Sequence, residues 1–280
     1  MNIKLIATDL DGTFLNSNHV TIPQDNIDAF KKANEMGIKV AIASGRTKIL
    51  TDYLLEQLPF LDYLITSNGA CVYDLKAAKE ICTVLISYEQ SVEIFKILDE
   101  YNLLYEIYFD GKCYMSTKSF SMFTPENVAP HIYALIKNFI KEVPDLSVLL
   151  NGKGMEKINI LSLTAKQRRE IEEKVSLLGD FSFASSFPID ECRDGNLEIT
   201  HQKSNKGYAV KSLAETLGLK SENVMTFGDG ENDCTMLSFA DYSFAMANSS
   251  DYAKNSAKML TDSNDDCGVA TAIKKHVFGE

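Results

Sequence analysis

The sequence has no C-x-x-C pair. Its six cysteines (Cys71, Cys82, Cys113, Cys192, Cys234 and Cys267) are scattered along the chain. That spacing argues against a zinc site or a disulfide framework and for reduced thiols in a cytosolic protein. The four histidines (His19, His131, His201 and His276) are equally dispersed, so a histidine metal cluster or a Ser-His-Asp triad has little support. No apolar run approaches about 18 residues, and no membrane span is expected. The apolar stretch near the start stops at Asp9, too early for a signal peptide. Repeats, low-complexity tracts and long flexible linkers are also lacking.

What is present suits a packed enzyme-sized protein. The 280 residues are 45% apolar and 24% charged, which fits one large domain or two ordinary ones. The net charge of −11 disfavours nonspecific binding to nucleic acid or an anionic membrane. It leaves an anionic small molecule open, because a local lysine and a metal ion override a general field.

The first 80 or so residues alternate short apolar strands with helices. Strands are expected over Lys4–Thr8, Lys39–Ala43 and Leu64–Thr66, with helices over Gln24–Met36 and around Ile49–Gln57. The same pattern returns near the end: a helix over Lys206–Leu217, a strand over Val224–Phe227, a short helix over Glu231–Phe239 and a strand over Tyr242–Met246. Such alternation implies β-α-β units and a parallel sheet. The middle differs, with helices at Ser91–Tyr101 and His131–Lys141 and strands at Leu104–Phe109, Lys112–Ser116 and Lys157–Leu163. The expected fold is therefore α/β: a Rossmann-like parallel sheet with helices on both faces, and an inserted α+β domain. The core takes residues 1–84 and 196–280, and the insertion takes 85–195.

Chemistry collects after each core strand. The strands run into Asp9-Leu10-Asp11-Gly12-Thr13, Ser44-Gly45-Arg46, Ser67-Asn68-Gly69, Gly228-Asp229-Gly230-Glu231-Asn232-Asp233 and Ala247-Asn248. In a parallel α/β sheet the carboxyl edge is where ligands bind. Asp9, Asp11, Asp229 and Asp233 would there repel one another and call for a cation. With oxygen ligands alone, magnesium is the natural ion. Each piece alone is ambiguous: a lone D-x-D also serves as a helix cap or a turn, and Lys206 also reads as a solvated helix residue. Their shared position after successive strands is what carries information.

These motifs resemble those of the haloacid dehalogenase superfamily. Asp9-Leu10-Asp11-Gly12-Thr13 looks like its first motif, Ser44 its second, Lys206 its third and Gly228-Asp229-x-x-Asn232-Asp233 its fourth. Ser44-Gly45-Arg46, Ser67-Asn68-Gly69-Ala70, Asn205-Lys206-Gly207 and Asp266-Cys267-Gly268-Val269-Ala270 resemble its Cof-like phosphatase branch, which has a large α/β cap. Departures are Ala247-Asn248-Ser249 where Gly-Asn-Ala is common, Cys267 as an extra residue, and a polar run before Lys206. The resemblance implies a magnesium-dependent phosphatase of a small phosphorylated metabolite. Asp9 would be the nucleophile and Asp11 the general acid and base. Asp9, Asp11 (through its carbonyl) and Asp229 would hold the metal, with Asp233 beside them as a further carboxylate or a brace. Leu10, Ser44, Gly45, Lys206 and Asn232 would hold the phosphate. The inserted domain would set specificity, with Ser185, Ser186, Asp190, Glu191 and Arg193 near its return to the core. A phosphotransferase or mutase using the same nucleophile is the alternative, and a noncatalytic binding protein a more distant one. Monomer and dimer stay open.

Overall fold

The computed structural model describes residues 2–128, 130–185 and 195–280. Its first five strands are β1 (Leu5–Thr8), β2 (Lys39–Ala43), β3 (Tyr63–Thr66), β4 (Cys71–Asp74) and β5 (Lys79–Thr83). Next come β6 (Tyr105–Phe109), β7 (Lys112–Ser116), β8 (Ile140–Val143), β9 (Lys157–Leu163), β10 (Phe181–Ala184) and β11 (Gly195–His201). The last are β12 (Val224–Gly228), β13 (Tyr242–Ala245) and β14 (Met259–Leu260). The chain divides into two compact units, one of Met1–Gly45, Tyr53–Thr83 and Asn205–Glu280, the other of Arg46–Asp52 and Val84–Ser204.

The first unit holds an eight-stranded sheet in the order β14-β13-β12-β1-β2-β3-β4-β5. Strands β14 through β3 pair in parallel, and β4 and β5 add an antiparallel edge. All four residues of β1 are buried, as expected of a central parallel strand covered on both faces. Alternation along the strands sends side chains to two cores. Ile6, Val40, Ile42 and Phe227 meet Ala29, Phe30 and Ala33 on one face. Leu5, Ala7, Ala41 and Ile65 meet Ala209, Val210 and Leu213 on the other.

Two helices show how the sequence encodes those faces. Gln24–Glu35 buries Asn26, Ala29, Phe30 and Ala33, a stripe at helical spacing. Lys206–Thr216 starts where the Asn205 side chain accepts from the Tyr208 amide at 2.8 Å, satisfying one of the helix's orphan donors.

The second unit is a six-stranded sheet, β10-β11-β9-β6-β7-β8, antiparallel except for β7 with β8. On one face Ile107, Ile158, Ile160, Leu197 and Ile199 pack against Ile94, Leu98, Ile171 and Val175. The last four belong to the helices Tyr88–Glu100 and Ala165–Ser176. On the other, register sets Glu106 and Glu198 on either side of Asn159. All three are buried, and Lys157 Nζ lies 3.0 Å from Glu198 Oε1.

Several local expectations change. The helix expected over His131–Lys141 ends at Ile136, because Ile140–Val143 is captured as a strand beside β7; pairing overrides propensity. In place of one helix over Ile49–Gln57 there is a 3₁₀ turn at Lys48–Leu50 and a single helical turn at Asp52–Leu55. The Arg46–Asp52 segment belongs to the second unit, where the Ile49 amide donates to the Gly111 carbonyl at 3.0 Å. Residues 196–204, expected in the core, also belong there, because β11 pairs with β9 and β10.

Candidate active site

Parallel pairing of β12, β1, β2 and β3 brings their carboxyl ends to one edge of the sheet. Asp9 follows β1 and is 5% exposed. Its amide donates to the Phe227 carbonyl at 2.9 Å, which ties it to the end of β12. The chain then turns sharply through Leu10–Phe14. Gly12 takes φ +76°, and a Cβ there would collide with the Asp229 carboxylate. Glycine is required on both counts. Thr13 Oγ1 donates to Asp229 Oδ1 at 2.7 Å, and Asn248 Nδ2 donates to the Gly12 carbonyl at 2.8 Å.

Lys206 is fully buried at the start of its helix. Its ammonium donates to Asp9 Oδ1 and Asp233 Oδ1, each at 2.6 Å. Asp233 Oδ2 accepts from the amides of Asp229 and Gly230, both at 2.9 Å. Both oxygens of Asp233 are thus engaged inside the protein, which suits a brace for the Asp229 loop. Carboxylate oxygens of Asp9, Asp229 and Asp233 lie within 4.8 Å of one another.

The electrostatics follow. Burial holds the Asp9 carboxyl well above the usual range, and the charge of Asp233 adds to this while Lys206 opposes it. Asp229 is pushed up to about 7, first by burial and then by Asp233. Burial alone would lower Lys206, but the charges of Asp233 and Asp9 outweigh it and hold the ammonium protonated. Three clustered carboxylates against one ammonium leave an excess of negative charge. A hard cation taking oxygen ligands relieves it, so this donor set fits a divalent metal.

Ser44 is buried; its amide donates to the Ile65 carbonyl at 2.9 Å, and its carbonyl accepts from the Asn68 amide at 3.0 Å. A Cβ at Gly45 would sit 2.9 Å from Asn68 Oδ1 and 3.8 Å from Asn232 Nδ2, so Gly45 and Asn232 are neighbours. Leu10 is fully buried. The Asp11 carboxylate lies outside the acidic cluster. It is partly exposed, 3.1 Å from His19 Nδ1. Ser185 Oγ donates to Asn196 Oδ1 at 3.1 Å in the second unit. Ser186, Asp190, Glu191 and Arg193 lie outside the described residues.

The sequence reading gave no role to Thr13, Asn68, Asn248 or His19. The first three sit inside or beside motifs already singled out. His19 carried no local signal. Among the described residues the cysteines form no disulfide, and no helix is long and apolar enough to cross a membrane.

Comparison with known proteins gives the family. Residues 6–273 match the family of haloacid dehalogenase-like hydrolases. Phosphatase YwpJ of Bacillus subtilis (strain 168) is 29% identical, over 97% of this chain and 99% of its own. The 5-amino-6-(5-phospho-D-ribitylamino)uracil phosphatase YcsE of the same organism is 28% identical, over 99% of this chain and 97% of its own. The solved structure of a haloacid dehalogenase-like hydrolase from B. subtilis superposes with a TM-score of 0.83 at 25% identity, covering 98% of this chain and 100% of that one. Acidic cluster, buried lysine and family match converge: the chain belongs to the haloacid dehalogenase-like hydrolases and is a phosphoric monoester hydrolase.

Proposed function

We propose that the enzyme hydrolyses a small phosphorylated metabolite through a phosphoryl group carried on Asp9, with Mg2+ as its cofactor. The observation that carries this reading is the arrangement of buried Asp9, Lys206 and Asp233 with half-buried Asp229 at the carboxyl edge of the sheet.

In the first step an Asp9 carboxylate oxygen bonds to phosphorus as the ester P–O bond breaks, and Asp11 gives its proton to the departing alcohol. In the second step water attacks the phosphorus of the Asp9 phosphoryl group and Asp11 takes up the water proton. Inorganic phosphate leaves and the Asp9 carboxylate is restored. Gly45, Asn232 and Lys206, together with Ser44 and the Leu10 backbone, hold the phosphoryl oxygens, where charge spreads in the transition state. When bound to Asp9, Asp229 and the Asp11 carbonyl, Mg2+ supplies Lewis-acid stabilisation of that charge. Asp233 steadies Asp229 and Lys206.

The unit of Arg46–Asp52 and Val84–Ser204 is the proposed selector of substrate. The relative YcsE is by name a phosphatase of a phosphorylated ribityl compound, and esters of sugars and sugar alcohols are the first class to test. Scattered cysteines without a C-x-x-C pair support a cytosolic setting. The test is phosphate release from a panel of phosphomonoesters, with and without Mg2+, for wild type and Asp9→Asn. Release that persists in the variant, or that survives complete chelation, would overturn the assignment.

A further inference from the structure

The loop Ser67-Asn68-Gly69 after β3 has no part in the steps above, yet three consecutive residues adopt positive φ: 52°, 57° and 100°. Two of them are not glycine. Such backbone persists only where the surroundings over-determine it. Ser67 and Asn68 are also buried. Three contacts show what fixes the loop.

The Asn68 amide donates to the Ser44 carbonyl at 3.0 Å. That carbonyl and the Gly45 N–H belong to one planar peptide and point in opposite directions. Holding the carbonyl therefore aims the Gly45 N–H. The Asn68 side chain then accepts, through Oδ1, from Asn232 Nδ2 at 3.2 Å, which orients the Asn232 amide. Gly45 has no Cβ to separate these groups, since one would lie 2.9 Å from Asn68 Oδ1. Finally, a Cβ on Gly69 would lie 2.5 Å from the Asn205 carbonyl and 3.1 Å from the Ala209 side chain. The loop therefore abuts the start of the Lys206 helix directly.

One strained loop thus touches the Ser44–Gly45 peptide, Asn232 and the cap of the Lys206 helix. We propose that Asn68 is a positioning residue for the phosphoryl pocket, holding the Gly45 N–H and the Asn232 amide in the register that a tetrahedral anion and its transition state require. This rests on the phosphatase reading. Asn suits the position because it tolerates the left-handed region better than other side chains with Cβ, and its amide also offers an acceptor where the Asn232 donor arrives.

Asn68→Gly isolates the side chain, because glycine keeps the positive φ without strain. In the full-length enzyme with Mg2+, this variant is expected to keep its melting temperature within about two degrees. Its kcat/KM for an aryl phosphate should fall about tenfold, and its inhibition constant for inorganic phosphate should rise about tenfold, as for loss of one oriented polar group in a buried site. A folded Asn68→Gly enzyme with wild-type kcat/KM and phosphate inhibition overturns the proposal. If the variant melts early, a cycle with Asn232→Ala decides. Should Asn68 act through Asn232, most of the loss in phosphate inhibition vanishes in the Asn232→Ala background. Simple additivity overturns it. Failure of the wild type to release phosphate from any ester is a different result, and sinks the phosphatase reading itself.

Discussion

Lys206 Nζ lies 2.6 Å from Asp9 Oδ1, although the two residues are 197 positions apart in the chain. The contact joins the end of β1 to the first residue of a helix, inside a site where Lys206 is wholly buried. Removing the ammonium leaves Asp9 and Asp233 facing each other without compensation. Lys206→Met should therefore abolish turnover and cost about 3–5 kcal/mol of stability, read as a fall in melting temperature without metal. Lys206→Arg should not restore activity, because a planar fork does not fit a site shaped for a compact ammonium. A Lys206→Met protein as stable as wild type would show that the pair does not organise the site.

Metal binding should depend on pH in a defined direction. The folded-state value of Asp229, about 7, lies above the ordinary aspartate value of 3.8. Its contribution to metal-free stability is therefore present below about 3.8 and lost as pH rises through 7. The proposed Mg2+ would bind the ionised carboxylates, so its stabilisation is expected to grow over the same interval. At a Mg2+ concentration of about 100 Kd the gain is about 2.7 kcal/mol, or several degrees in melting temperature. Thermal scans should show that gain at about pH 8 and little of it at about pH 5. Equal gains at both, or none at either, would contradict this account of the acidic cluster.

A second buried carboxyl titrates in the other unit. Glu106 is pushed up to about 7, first by burial, although Asn159 and Lys157 pull it down. Among the described residues its Oε2 has no hydrogen-bond partner. A raised value means that the neutral form is the one the fold accepts. The associated stability is full below about 4.5 and lost as pH rises through 7. Glu106→Gln lacks this titration. Its stability relative to wild type should therefore improve by on the order of 3 kcal/mol between about pH 4.5 and pH 8, measured by denaturant unfolding. A difference that does not vary with pH would refute the protonation of Glu106.

How much of this was legible in the sequence follows from the range of the forces involved. The central strands and their polar ends could be read because a strand buried on both faces must be apolar, and its exit must supply turn and ligand residues. Asp9 and Asp229 stood out for that reason, whereas Lys206, the first residue of a helix, is singled out only by the family resemblance; the Gly12 position explains why D-x-D-G-T carries a glycine. The edge strands β4 and β5 were missed because the outer one is only partly buried. The helix expected over His131–Lys141 runs into the first two residues of β8 because that strand's identity comes from pairing with β7, 27 residues away in register (Cys113 with Ile140). The Asn68–Asn232 contact spans 164 positions, and nothing local to either residue announces it. The segment Arg46–Asp52, expected with the core, groups with the second unit for a similar reason: its partners Gly111 and Glu156 lie far along the chain.

The central claim is that Asp9 carries the phosphoryl group. The direct measurement is rapid quench of the Mg2+-loaded enzyme with a turned-over phosphomonoester, followed by peptide mass spectrometry. Asp11→Asn serves as a companion with an aryl phosphate, whose phenolate departs with little need of the general acid, so that loss of the general base slows the second step more than the first. The account expects the mass of one phosphoryl group on the peptide containing Asp9, more of it in the Asp11→Asn enzyme, and none in Asp9→Asn. A phosphoryl group on any other residue, or its persistence in Asp9→Asn, would contradict the account.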